Sequence, residues 1–325
     1  MTGKCFIIDC DAGVDDALAL ILLIAAHKQK RIQIKAITCV NGNTTVDNVV
    51  TNVFRTLDVC KASDVSLVLS DNQYHGSDGF GDVYTTKIDT SKLQTEHAVC
   101  AMHRITLETP GETTIVCLGP LTNVALAIKM YPQFVNNVKE FYIMGGNVTG
   151  NSQGNITPQA EFNFYMDPES VHIVFNSNKR PLWLLPWETC LKSRISHVSI
   201  TKIIIENPTR TRKKHFPTYI SCDAILAGIL LNPEIARNVA SYHADIELSG
   251  NRTRGQVVLD HLLSNKPNVF LIQDIDSEMN VQSSNVEATY HIILPSTNMV
   301  QYCRLICYHI HLHYRIWNNT GISRL

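Results

Sequence analysis

Short apolar runs alternate along this chain with longer segments whose apolar positions recur at helical spacing, the signature of a parallel sheet crossed by helices. The runs Cys5–Ile8, Ile34–Val40, Val65–Ser70, Thr113–Leu118 and Glu140–Met144 predict strands, as do Pro181–Leu185, Ala244–Leu248, Gln256–Leu259 and Val269–Gln273. Helical spacing predicts helices over Ala17–His27, Val46–Val59, Glu96–Leu107, Leu121–Met130, Pro168–Asn176 and Ala224–Leu231. Asp15–Asp16 stands before the first helix, and Asp167–Pro168 puts a proline in a first helical turn. No internal repeat or low-complexity linker divides the chain. The economical reading is one α/β domain with an inserted or helical section around Ile195–Tyr219.

Four carboxylates crowd the end of the first strand, in Asp9-Cys-Asp11-Ala-Gly-Val-Asp15-Asp16. Two carboxylates about 4 Å apart repel by roughly 4 kcal/mol at an effective dielectric of 20. Such crowding calls for a cation, raised pKa values or full solvation, and hard oxygen donors favour Ca²⁺ or Mg²⁺ over zinc. Gly13 permits the sharp path that turns several carboxylates inward. The plain alternative is a solvated turn with an N-cap at Asp15 or Asp16.

Polar groups stand at the matching ends of other strands: Asn41-Gly42-Asn43, His75-Gly76, Leu118-Gly-Pro-Leu-Thr-Asn123 and Met144-Gly-Gly-Asn147. In an open parallel sheet the ligand crevice lies beyond those ends, at the topological switch point. Asn155-Ile-Thr-Pro-Gln-Ala-Glu161-Phe-Asn163 adds amides and a carboxylate suited to sugar hydroxyls, or else to Asx turns in a polar loop. Asp223, at the start of a late helix, is either an N-cap or a distant carboxylate returned to the cation.

Composition narrows the ligand class. Of 325 residues, 28 are Lys or Arg and 29 Asp or Glu, so no basic excess marks a nucleic-acid groove and a small metabolite is the better ligand. The longest apolar run, Ala17–Ala26, is too short for a membrane span, and no secretory signal precedes Cys5. Ten scattered cysteines read as free thiols of a reducing compartment, hence a cytoplasmic protein.

Asp9-x-Asp11-x-Gly-x-Asp15-Asp16 resembles the signature of the inosine–uridine preferring nucleoside hydrolases. So do Leu-Gly-Pro-Leu-Thr-Asn over 118–123, Met-Gly-Gly-Asn over 144–147, Ala-Glu-Phe-Asn over 160–163 and Asp-Pro-Glu over 167–169. The motifs occur in order from about residue 5 to about residue 277, and the animal, cysteine-bearing members look most similar. The resemblance implies an open, mostly parallel, mixed Rossmann-like sheet with helices on both faces. It implies hydrolysis of the N-glycosidic bond of ribonucleosides by a Ca²⁺-bound water, in a homodimer or homotetramer. Asp11, Asp16, the Leu118 carbonyl and Asp223 would ligate Ca²⁺, and Asp11 would also be the base. Asp15, Asn163 and Asp223 would bind ribose hydroxyls, Asn155, Glu161 and Met144 would hold the 5′ side, and Asn43 would sit near ribose and metal. Asp9 would steady the loop, and His75 would lie toward the base as the nearest leaving-group acid.

Two departures stand out. Many members carry a histidine before the last metal-ligating aspartate, where this chain has Cys222, a poor substitute for imidazole at neutral pH. The resemblance also fades after Asp276–Glu278, so a catalytic domain over 1–278 is expected to precede an atypical tail, 279–325, in place of the usual closing helix. The tail's Cys303, Cys307, His309, His311 and His313 alternate with apolar residues and read as a strand-like or disordered segment rather than a zinc site. Two rival readings follow. A catalytically impaired nucleoside- or Ca²⁺-binding protein is motivated by Cys222 and the tail. A haloacid-dehalogenase-like phosphatase would use Asp9 and Asp11 but leaves Asp15–Asp16 and residues 155–163 without work.

Overall fold

The computed structural model describes residues 4–62, 64–69, 89–150, 152–177, 181–192, 195–196, 218–219 and 221–276. The strands in chain order are β1 (Lys4–Cys10), β2 (Ile32–Cys39), β3 (Leu67–Leu69), β4 (Gln94–His97), β5 (Thr113–Cys117), β6 (Val138–Met144) and β7 (Leu182–Leu185). There follow β8 (Ile195–Ser196), β9 (Thr218–Tyr219), β10 (Ala236–Tyr242), β11 (Ala244–Ile246), β12 (Val257–Leu259) and β13 (Val269–Ile275). The helices are α1 (Val14–Lys28), α2 (Val46–Val59), α3 (Ala98–Glu108), α4 (Thr122–Met130), α5 (Phe134–Asn137), α6 (Phe162–Met166), α7 (Pro168–Ser177), α8 (Trp187–Cys190) and α9 (Cys222–Leu231).

One nine-stranded sheet runs in the order β10-β13-β7-β6-β5-β1-β2-β3-β4. Every pairing in it is parallel except β10 with β13, which makes the sheet mostly parallel and mixed. Buried strands alternate their side chains between two cores. Phe6, Ile8 and Cys10 of β1 join α1, α2 and α9 on one face, while Ile7 joins α3, α4 and α7 on the other. β1 lies between β2 and β5, where the chain reverses its direction of travel across the sheet, so the crevice opens beyond its C-terminal end.

Several expectations need correction. Asp15 and Asp16 do not precede the first helix but form its first turn, where the helix dipole favours negative charge. Asp223 is not an N-cap: Ser221 takes that position and Asp223 sits inside α9. The segments expected at Ala244–Leu248 and Gln256–Leu259 pair with each other as a separate ribbon rather than in the main sheet. The segment expected to be helical from Glu96 begins instead with β4, whose QTEH sequence carries no apolar alternation. β10 was not expected, because an edge strand reading ARNVASY buries too few side chains to show a pattern. The proposed domain boundary, the tail and most of the inserted section lie outside the described residues.

Candidate active site

β1 delivers Asp9 and Asp11 to the mouth of the sheet, and the chain then turns through Ala12 and Gly13 into α1. Asp9 faces the sheet interior, accepting hydrogen bonds from Thr38 Oγ1 at 2.7 Å and Asn123 Nδ2 at 2.9 Å. Asn123 also donates to the Cys39 carbonyl at 3.0 Å, so one amide ties β1, β2 and the start of α4 together. Burial pushes Asp9 from 3.8 up to about 7 against those two bonds.

Asp11 Oδ2 accepts from the Asn43 backbone N–H at 2.8 Å. Gly42 is required there, since a Cβ at that position would stand 2.1 Å from the same oxygen. Asp16 Oδ2 accepts from the Gly13 N–H at 2.8 Å and, more weakly, from Asn43 Nδ2 at 3.4 Å. Asp223 arrives from about two hundred residues further along the chain on α9, which packs against α1. One oxygen each of Asp15, Asp16 and Asp223 lies within 4.8 Å of the others.

The electrostatics of this cluster are costly. Burial first, then the charge of Asp15, raises Asp11 to about 7 against the Asn43 bond. Burial, then the surrounding aspartates, pushes Asp16 and Asp223 well above the ordinary carboxylate range. Asp11 Oδ1, Asp16 Oδ1 and Asp223 Oδ1 are each buried without a hydrogen-bond partner. Buried carboxylate oxygens without partners suit a hard divalent cation, and the three carboxylates whose oxygens converge are Asp15, Asp16 and Asp223, with Asp11 outside that group. Asp15 is only partly buried, unlike Asp11, Asp16 and Asp223.

The sugar-side residues gather on the neighbouring strand ends. Glu161 caps α6, accepting from Asn163 N at 2.8 Å, Gly146 N at 2.8 Å and Phe164 N at 3.2 Å. Gly146 holds φ at 79°, and a Cβ there would meet Val257 and Phe164 inside 3.0 Å, so glycine is needed for the loop to follow β6. Asn163 Nδ2 donates to the Leu118 carbonyl at 2.7 Å and to the Met144 carbonyl at 3.3 Å. Asn163 thereby links three expected site residues, and the Leu118 oxygen keeps a second lone pair. Asn155 Oδ1 accepts from Phe162 N at 2.7 Å, fixing its amide beside the same turn.

The expected residues Asp11, Asp15, Asp16, Asn43, Leu118, Met144, Asn155, Glu161, Asn163 and Asp223 thus all stand at or beside the C-terminal mouth of the sheet. His75 lies outside the described residues. Cys222 shares a hydrogen bond with Cys190, and burial, that bond and the charges of Asp15 and Asp223 push its thiol well above the ordinary range. A thiol so held is a weaker acid still than a free cysteine. Sequence reasoning gave no structural work to Asn123, Thr38 or Glu188. Glu188 Oε1 accepts from Val148 N and Thr149 N, both at 2.9 Å, and so pins the loop that follows Gly146. The available signal was a polar residue beside a glycine-rich strand end.

Comparison with known proteins identifies what the chain as a whole is similar to. A family model described as inosine-uridine preferring nucleoside hydrolase matches residues 6–282. The pyrimidine-specific ribonucleoside hydrolase RihA of Salmonella gallinarum is 33% identical over 302 residues, covering 84% of this chain and 94% of its own. The solved structure of an inosine-guanosine nucleoside hydrolase superimposes with a TM-score of 0.76 at 27% identity, covering 89% of this chain and 98% of its own. An inosine-uridine preferring nucleoside hydrolase from Bacillus anthracis, at 19% identity and a TM-score of 0.72, covers 88% and 99% and shares the fold.

Proposed function

Since the chain belongs to the inosine-uridine preferring nucleoside hydrolase family, we propose that it hydrolyses ribonucleosides to ribose and free base with Ca²⁺ held by Asp11, Asp16, the Leu118 carbonyl and Asp223. The observation supporting this reading is a set of buried, unpartnered oxygens on Asp11, Asp16 and Asp223, beside the convergence of one carboxylate oxygen each from Asp15, Asp16 and Asp223 within 4.8 Å. When bound, the cation would supply Lewis-acid chemistry that makes an attacking water more acidic.

Every other part of the chemistry falls to side chains. Asp11 takes the proton from the water, and the Asn43 N–H bond to Oδ2 fixes the orientation of its carboxylate. Asp15, with Asn163 and Asp223, holds the ribose hydroxyls, and Asn155, Glu161 and Met144 hold the 5′ side. As the bond to the base lengthens, positive charge grows on the sugar, and the surrounding carboxylates stabilise it. His75 is the proposed donor to the departing base, because Cys222 is tied to Cys190 and shifted away from acid duty. Cytoplasmic location and a homodimeric or homotetrameric state complete the reading, and no described helix is long and apolar enough to cross a membrane.

The deciding assay follows ribose release from inosine, guanosine, uridine and cytidine, with and without a chelator. Release that stops on chelation and returns with Ca²⁺ is expected. Nucleoside binding without release would favour the impaired binding protein that Cys222 motivates, and release indifferent to chelation would remove the cation from the mechanism.

A further inference from the structure

Asn52 is a buried asparagine, 0% exposed, on the face of α2 that otherwise carries Val49, Val53 and Leu57 into the core. Its Nδ2 donates to the Ala12 carbonyl at 3.2 Å, across forty residues of chain. Arg55 donates to its Oδ1 at 3.1 Å, which fixes which end of the amide faces the loop. Ala12 holds a φ of 38°, a left-handed backbone that costs an alanine roughly 1 to 2 kcal/mol and persists only where neighbours enforce it.

The peptide unit joining Ala12 to Gly13 is gripped at both edges. Its carbonyl takes the Asn52 bond, and its N–H is the group that orients Asp16 Oδ2 at 2.8 Å. A planar trans peptide points these two groups in opposite directions, so holding one sets the other. We propose that Asn52 is a positioning residue: by anchoring this peptide plane it aims the Asp16 carboxylate, and with it the aspartate loop, at the cation site. The proposal rests on the Ca²⁺ reading above. Without the anchor, the peptide turns over, Asp16 loses its Gly13 donor, and the cation loses a preset ligand.

The test uses full-length protein stripped of metal, with Ca²⁺ alone as titrant in calorimetry and kcat and KM for inosine measured at saturating Ca²⁺. Asn52→Ala removes the donor, Asn52→Asp removes it while keeping the side-chain shape and the acceptor for Arg55, and Thr51→Ala is a control at a partly buried position on the same helix. We expect both Asn52 variants to bind Ca²⁺ about 10- to 100-fold more weakly, the range for lost supporting bonds at metal sites, with the control within about twofold of wild type. At saturating Ca²⁺ the kinetic loss should fall mainly on kcat. Folded Asn52 variants that bind Ca²⁺ as tightly as wild type would overturn the positioning role while leaving the cation reading intact. Failure of both to fold would make Asn52 a purely structural residue and equally end the proposal. Wild-type protein that takes up no Ca²⁺ would remove both.

Discussion

At the residue scale, Asp11 carries the greatest chemical demand. Its base role predicts that Asp11→Ala lowers kcat for ribose release by about 10²- to 10⁴-fold, the usual worth of a positioned base, while the circular dichroism spectrum stays native. Retained turnover in that variant would assign proton removal elsewhere. Cys222 makes the opposite prediction. Its thiol is hydrogen-bonded to Cys190 and pushed upward first by burial, so Cys222→Ser should leave kcat within about threefold, since losing a true general acid costs on the order of 10²-fold or more. A loss of that size would give the thiol a proton-transfer duty. Sequence alone made Asp11, Asp15 and Asp16 conspicuous, because four carboxylates in eight residues demand a cause. Asn52 stayed invisible, because a single asparagine in an amphipathic helix looks like an ordinary surface residue until its 0% exposure is known.

At the element scale, strands buried on both faces were legible from their apolar runs, and their ends carried the site. β4 and β10 were not, since exposed or edge strands lack that signal. The short helices α6 and α8 span too few residues for a helical period to show, yet both deliver site groups. Helix entry is similarly specific: Asp167, before α7, accepts from Ser170 N at 3.0 Å and from Thr122 Oγ1 at 2.6 Å, joining α7 to α4. Asp167→Ala should therefore cost about 1 to 2 kcal/mol in urea unfolding, the range for a strong helix cap. A change below about 0.5 kcal/mol, the floor for such caps, would show that these bonds are exchanged for water without loss.

At the scale of the whole molecule, the acidic cluster couples stability to pH and to cation. Asp9 and Asp11 titrate near 7 in the cation-free fold against 3.8 in an unfolded chain, so the fold binds their protons more tightly. Their contribution is fully present below about pH 4 and is lost as pH rises through 7. Cation binding instead requires the ionised carboxylates. The rise in melting temperature on adding saturating Ca²⁺ should therefore be larger at pH 8 than at pH 5. Equal rises at the two pH values would show that the cluster is not what the ion engages.

Asp16 opens the first helix and Asp223 the ninth, on helices that lie against each other. An ion shared between them closes a loop of about 200 residues, and an unfolded chain has no comparable pair of ligands held close, so the entropy of closing that loop falls on folding rather than on binding. During synthesis the N-terminal carboxylates emerge first, and under the proposed ligand set the helix bearing Asp223 would complete the cation site only later. A ribosome-bound fragment ending before α9 should bind the ion poorly and be cut readily by protease, whereas the completed chain should become resistant once calcium is supplied.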